Sequence, residues 1–393
     1  MSKSLDPITQ AVRIQTIQSP QHEHSTPLYI TSSFTFDEAE AMRAAFADET
    51  DANIYSRFSN PNVDEFVKKM YVLEGAEDGF ATATGMSAVF SSFFALLKQG
   101  DHLLCSSFVF GSTYTVVTKY LPRYGITCTL VPANDREAWE AAVQPNTKML
   151  YLETPTNPQL EIIDLKWAGE FCKKHSLTYN VDNCFATPLL QKPIDFGADL
   201  VIHSATKWID GQGRVLGGVV VGRADLIKEI YLFCRNTGPA MSPFNAWVLS
   251  KSLETLDVRM ERHCKNAMKL AETLEHNPNV SWVKYPFLKS HPQYDIAISQ
   301  MSNGGGVICF EVKGGLEAGR KFLDALEMLS VTANLGDSRS IASHPASTTH
   351  SKLTEQERLA VGITPGLIRV SAGLEKIDDI IADIEQALNK SSN

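Results

Sequence analysis

The sequence runs to 393 residues, 44% of them hydrophobic and 21% charged, which gives enough apolar material for a packed core and excludes wholesale disorder. A net charge of −9, with no lysine- or arginine-rich tract, argues against nucleic acid as the main partner. No run approaches the ~20 apolar residues of a membrane span, the start lacks a secretory signal, and the seven scattered cysteines and ten histidines suit a reducing cytoplasm with neither a disulfide framework nor a metal site.

Residues 1–60 are polar, with one short helical pattern over 37–49. Such an arm buries little by itself and either stays loose or packs on something else, another subunit included. From about residue 62 apolar helical patterns (85–98, 112–121, 164–175) alternate with short apolar runs (102–107, 127–132, 148–153, 177–182, 198–204, 215–222). That alternation predicts βαβ units and an α/β fold with a mostly parallel sheet covered on both faces. A helical pattern over 243–275 leads to strands at 280–286, 306–312 and 367–373, with helices at 316–329 and 376–390. The expected division is an arm (1–60), a large domain (61–250) and a smaller C-terminal α/β domain (251–393).

In open α/β sheets ligands gather at the carboxyl ends of the strands. Lys207 follows such an end, between hydroxyl residues Ser204 and Thr206. Asp182 closes another apolar run, where an unpaired carboxylate is costly, although alone it reads equally as a loop aspartate or helix cap. Asn157 lies in a turn stiffened by Pro155 and Pro158, and Gly85 opens a helical pattern whose N-terminus suits an anion. The glycines of 211–218 do not form a dinucleotide loop, because their spacing is wrong and they run into a strand. An amine, a phosphate cradle and a carboxylate for a ring nitrogen are the parts that hold pyridoxal phosphate.

At these residues the chain resembles the cystathionine-γ-synthase type of fold-type I pyridoxal-phosphate enzymes of cysteine and methionine metabolism. The resemblance runs in order through YSRFSNPN (55–62), TGMSAV (84–89), ETPTNP (153–158), VDN (181–183), SATK (204–207), LGD (335–337), HPASTTH (344–350) and RVSAGLE (369–375). It implies a transferase with a mostly parallel seven-stranded sheet between helices, a small C-terminal domain and an N-terminal arm. It also implies Lys207 as the Schiff-base lysine and Asp182 as partner of the pyridine nitrogen. The phosphate would take the Gly85 and Met86 amides with Ser204 and Thr206; Asn157 would sit near the ring hydroxyl, and Tyr55 and Arg57 would reach the phosphate of a neighbouring subunit in a homotetramer. Arg369 would clamp the substrate α-carboxylate, a task that suits a guanidinium.

The family pattern is departed from at two positions. Phe110 stands where many members carry a ring-stacking tyrosine, so the proton-transfer role falls to Tyr55 or Lys207. Asn334 stands beside the carboxylate site where serine is usual. The Gly-Gln-Gly-Arg run at 211–214, with Phe110, points within the family to γ-replacement on O-succinyl-L-homoserine by sulfide, in methionine biosynthesis. Cystathionine γ-synthesis, γ-elimination and an O-acetyl in place of the O-succinyl leaving group stay open, as does Arg214 as either a succinyl partner or a structural ion pair.

Overall fold

The computed structural model describes residues 5–349, 351–352, 354–360 and 362–391, so His350 of the HPASTTH segment lies outside the described residues. The chain builds two sheets. The larger takes β1 (Asp78–Thr82), β2 (His102–Ser106), β3 (Thr127–Val131), β4 (Thr147–Glu153), β5 (Thr178–Asp182), β6 (Leu200–His203) and β7 (Gly218–Gly222) in the order β1-β7-β6-β5-β4-β2-β3. Only β7 runs against its neighbours, pairing antiparallel with both β1 and β6. Its central strands carry near-continuous buried apolar runs because helices cover both faces.

The smaller sheet orders β8 (Val280–Lys284), β9 (Val307–Val312), β10 (Ser330–Val331), β11 (Ile341–Ser343) and β12 (Leu367–Ser371) as β10-β11-β12-β9-β8. The helices Leu256–Glu275, Gly315–Asp324 and Ile377–Ser391 pack on it around Phe310, Phe322 and Ile384. Among the described residues no helix is long and apolar enough to cross a membrane.

Four local expectations change. The helical pattern over 243–275 is two helices, Pro243–Leu253 and Leu256–Glu275. At the break Arg259 turns back to donate to the carbonyl of Ser252, left open by the interruption, and to those of Trp208 and Ile209, so one buried guanidinium ties the break to the segment after β6. The span 112–121 is not one α-helix but a short α-helical turn, Gly111–Thr115, continued by a π turn and by a 3-10 turn, Leu121–Tyr124, that ends at Gly125. The strand expected over 215–222 begins only at Gly218.

The N-terminal segment holds a second helix, Pro7–Arg13, capped by Asp6, besides Ala39–Phe46. It packs on the same chain: Ala11 is buried against the helix Pro61–Glu74, and Glu65 accepts from the Thr16 amide and the Thr26 hydroxyl. Trp247 donates to the Thr26 carbonyl, which ties this end to the helix Pro243–Leu253.

Candidate active site

Strands β4, β5 and β6 are parallel neighbours, so their carboxyl ends open at one edge of the sheet. There the register sets Glu153 beside Asp182 and Asp182 beside Ile202, and the turn after β6 delivers Ser204 to Lys207. Residues alternate in direction along a strand, so Tyr151 and Glu153 share a face with Asn180 and Asp182.

Lys207 donates from Nζ to Asn334 Oδ1 at 2.6 Å, a neutral acceptor. Burial lowers its pKa, and the nearby Arg369 guanidinium pushes in the same direction. Gly336 fixes the approach of the 334–337 loop. Its φ is +78°, and a Cβ there would lie 2.6 Å from the Trp208 nitrogen and 2.8 Å from the Lys207 carbonyl carbon. Gly336→Ala is therefore expected to destabilise the protein by about 2–3 kcal/mol, through left-handed backbone and a clash that no rotamer relieves. A denaturant midpoint equal to the parent's would contradict that reading.

Arg369, on β12, is 6% exposed. It donates from Nη1 to Asn157 Oδ1 at 3.0 Å, and from Nη2 to the carbonyls of Ala333 (3.0 Å) and Asn334 (2.9 Å). All three acceptors are neutral, and its buried Nε has no partner among the described residues. A buried guanidinium served only by neutral oxygens, with one donor unused, is arranged for an anion from outside.

Thr84 caps the helix Gly85–Leu96, its hydroxyl accepting the Ser87 amide at 3.1 Å. The Gly85 and Met86 amides precede the first intrahelical bond, so they point out at the positive end of the helix. A Cβ on Gly85 would stand 2.6 Å from the Ser204 Cβ, so the absence of a side chain lets this helix start meet the Ser204 turn. Backbone amides and a serine hydroxyl thus converge near Lys207, a cradle fit for phosphate. Thr206 is occupied differently: its hydroxyl bonds both the Gly217 carbonyl (3.3 Å) and the Gly217 amide (3.1 Å).

Asp182 accepts from the Cys184 amide at 3.0 Å and from the Tyr151 hydroxyl at 3.3 Å. Burial raises its pKa, opposed by the Cys184 amide and by His203. Glu153, 5% exposed, is pushed up to about 8 by burial first and by Asp182 second. It accepts the amides of Phe110 (2.8 Å) and Asn157 (3.0 Å). Glu153 and Tyr151 were not singled out from the sequence; the alternation of β4 toward Asp182 is the signal that could have marked them.

Four residues stand apart. Phe110 is 45% exposed and enters this network only through its backbone amide. Tyr55 and Arg57 are not brought to Lys207 of their own chain. The Tyr55 ring packs against Phe58, and the Arg57 guanidinium lies over both rings while donating to the Arg235 carbonyl. Arg214 is held by Asp210 through its amide (2.7 Å) and Nε (3.0 Å), and by Ser252, so it serves as a structural ion pair.

A half-buried amine with no acidic partner among the described residues, a half-buried carboxylate, and an anion cradle at a helix start are together the complement of pyridoxal phosphate, with its aldehyde, ring nitrogen and phosphate. Comparison with known proteins agrees. The Cys/Met metabolism PLP-dependent enzyme family matches residues 8–389. The chain is 47% identical over 380 residues to the O-succinylhomoserine sulfhydrylase of Pseudomonas aeruginosa, covering 97% of this chain and 94% of that protein. It is 44% identical over 368 residues to the L-methionine gamma-lyase of Porphyromonas gingivalis, covering 93% and 92%. A crystal structure of a putative O-acetylhomoserine (thiol)-lyase from Campylobacter jejuni, which carries a pyridoxyl-lysine monophosphate, superposes with a TM-score of 0.94 at 33% identity over 98% of this chain and all of that one. The chain belongs to the Cys/Met metabolism PLP-dependent enzymes and is a pyridoxal-phosphate enzyme acting on small amino-acid substrates.

Proposed function

We propose that the enzyme catalyses a γ-replacement in methionine biosynthesis, in which sulfide displaces succinate from O-succinyl-L-homoserine to give L-homocysteine. The observation that carries this reading is the similarity along nearly the whole chain to the Pseudomonas aeruginosa sulfhydrylase. The Gly-Gln-Gly-Arg run supports it by resemblance, and the Arg339 bond to the Gln212 carbonyl sets this loop against the segment that bears Asn334.

Bound pyridoxal phosphate supplies an electrophilic carbon for amines and a ring that spreads negative charge arising at Cα. Lys207 would hold it, Asp182 would keep the ring nitrogen protonated, Asn157 would serve the ring hydroxyl and Phe110 the ring face, and Gly85, Met86 and Ser204 would take the phosphate, joined by Thr206 if its hydroxyl turns from Gly217. Arg369 fixes the substrate carboxylate, with its free Nε available for the second arm of a bidentate pair. The Lys207 amine, with its pKa lowered by burial, would take the Cα proton, hand it on to the bound cofactor–substrate conjugate and, neutral again, take a Cβ proton. The Cγ–O bond breaks, succinate leaves with the electron pair, and sulfide forms the Cγ–S bond. Lys207 returns the two protons, and the proton shed by hydrogen sulfide balances the succinate anion. Asn334 Oδ1, within reach of Nζ, steadies the amine between Cα and Cβ.

The proposed organisation is a homotetramer in a reducing cytoplasm, with the 1–60 arm lending Tyr55 and Arg57 to a neighbour's phosphate, 61–250 binding the cofactor and 251–393 forming the small domain. Tyr55, 40% exposed and engaged among the described residues at its ring and backbone, would offer its hydroxyl to that neighbour, as phosphate ligand and proton donor. The L-methionine gamma-lyase relative favours γ-elimination as the second reading. Assays with O-succinyl-L-homoserine plus sulfide, plus cysteine, or with neither separate these, following homocysteine, cystathionine and 2-oxobutanoate. Homocysteine is the expected main product; dominant 2-oxobutanoate with sulfide present would replace the proposal by the lyase, and dominant cystathionine with cysteine by the synthase.

A further inference from the structure

Glu153 belongs to none of the roles above, yet it joins several of them. Its two carboxyl oxygens serve two different loops, Oε2 taking the Phe110 amide from the loop after β2 and Oε1 the Asn157 amide from the loop after its own strand. The Asn157 side chain then accepts from Arg369 Nη1, a contact between residues 212 apart that crosses from the large sheet to β12 of the small one. A continuous path therefore runs from Glu153 through Asn157 to the guanidinium. A carboxyl held here is costly, being 5% exposed and in register with a second carboxyl, Asp182. A neutral side chain would avoid that cost but could not offer two acceptor oxygens to two amides.

We propose that Glu153 is a positioning residue for substrate binding: by gathering the Phe110 and Asn157 amides on one carboxyl group it fixes the Asn157 side chain that orients Arg369, and so sets the affinity for the α-carboxylate of the amino-acid substrate. This rests on the reading that Arg369 takes that carboxylate. Glu153→Gln is the informative change. It keeps the shape but turns an amide NH2 toward a backbone N–H, so one of the two loops loses its acceptor.

The test uses the cofactor-loaded enzyme and norleucine, an amino acid with no γ-leaving group, whose dissociation constant is measured by calorimetry for the parent and for Glu153→Gln, Asn157→Ala, Arg369→Lys and the double variant Glu153→Gln/Asn157→Ala. Glu153→Gln is expected to weaken binding about tenfold, the loss of roughly one buried hydrogen bond in the path. The double variant is expected to bind no more weakly than Asn157→Ala, because both changes cut one path. Parent-like binding by Glu153→Gln alongside weakened Arg369→Lys overturns the proposal alone, as do effects of Glu153→Gln and Asn157→Ala that multiply. Parent-like binding by Arg369→Lys overturns the carboxylate reading beneath it instead. Should Glu153→Gln fail to fold, Glu153→Asp, which withdraws both oxygens by one methylene, is read by the same criteria.

Discussion

Replacing Lys207 with alanine is expected to abolish the borohydride-reducible visible absorbance of the purified enzyme and to lower turnover by at least ~10³–10⁴-fold, since one side chain serves both covalent attachment and proton transfer. The fold should survive. The Lys207 amine makes one side-chain hydrogen bond, to Asn334, and burial disfavours its charge, so its removal relieves a desolvation cost. The two readouts are independent: absorbance reports attachment, and a melting curve reports the fold. An alanine variant that kept both the reducible band and parent turnover would remove Lys207 from the centre of the site.

The second large effect is expected at Asp182. Asp182→Asn should lower turnover by about 10²–10³-fold, because a neutral amide cannot stabilise a protonated ring nitrogen as a carboxylate does. The same change should leave the cofactor-free protein as stable as the parent or more so. Burial raises the Asp182 pKa above its unfolded value, so its stabilising contribution is present below the unfolded pKa and is lost as pH rises through the folded one. At neutral pH the cofactor-free parent carries that penalty and the asparagine variant does not. The stability difference should therefore grow as pH rises above the ordinary carboxylate range, and denaturant midpoints taken at acid and neutral pH measure it. A variant less stable than the parent at neutral pH, with unimpaired turnover, would mark Asp182 as a structural acid only.

Much of the large sheet was legible because strand and helix periods are local. The runs ending at Glu153, Asp182 and His203 emerge as strands within a few residues of the expected bounds. Several elements escaped, the helices Pro61–Glu74 and Tyr294–Gln300 and the strands β10 and β11 among them, and two others show why. β1, the segment Asp78–Thr82, has a glycine and too little apolar alternation to stand out, and it is a strand because β7 pairs with it at every position. The helix Ala224–Thr237 carried a readable signal in Ile227, Ile230 and Cys234, which recur at helical spacing and are buried on one side. The interruption after Leu253 had no local signal of that strength, since it is stabilised by Arg259 reaching across to Trp208 and Ile209.

By itself the sequence determined an α/β chain with a lysine after a strand, an aspartate after its neighbour and a helix start bearing a glycine, because burial periods and turn chemistry act over a few residues. It also carried the motif order that the family shares. Which side chains meet was decided by the tertiary structure alone. Strand register put Glu153 beside Asp182, and docking of the small sheet brought Arg369 to Asn157 and Asn334 to Lys207. Arg214, open between two roles in the sequence, was assigned by the buried Asp210 that holds it. Such pairings join residues far apart in the chain, and the energy of a buried charge depends on the partners that folding supplies, which no local pattern encodes.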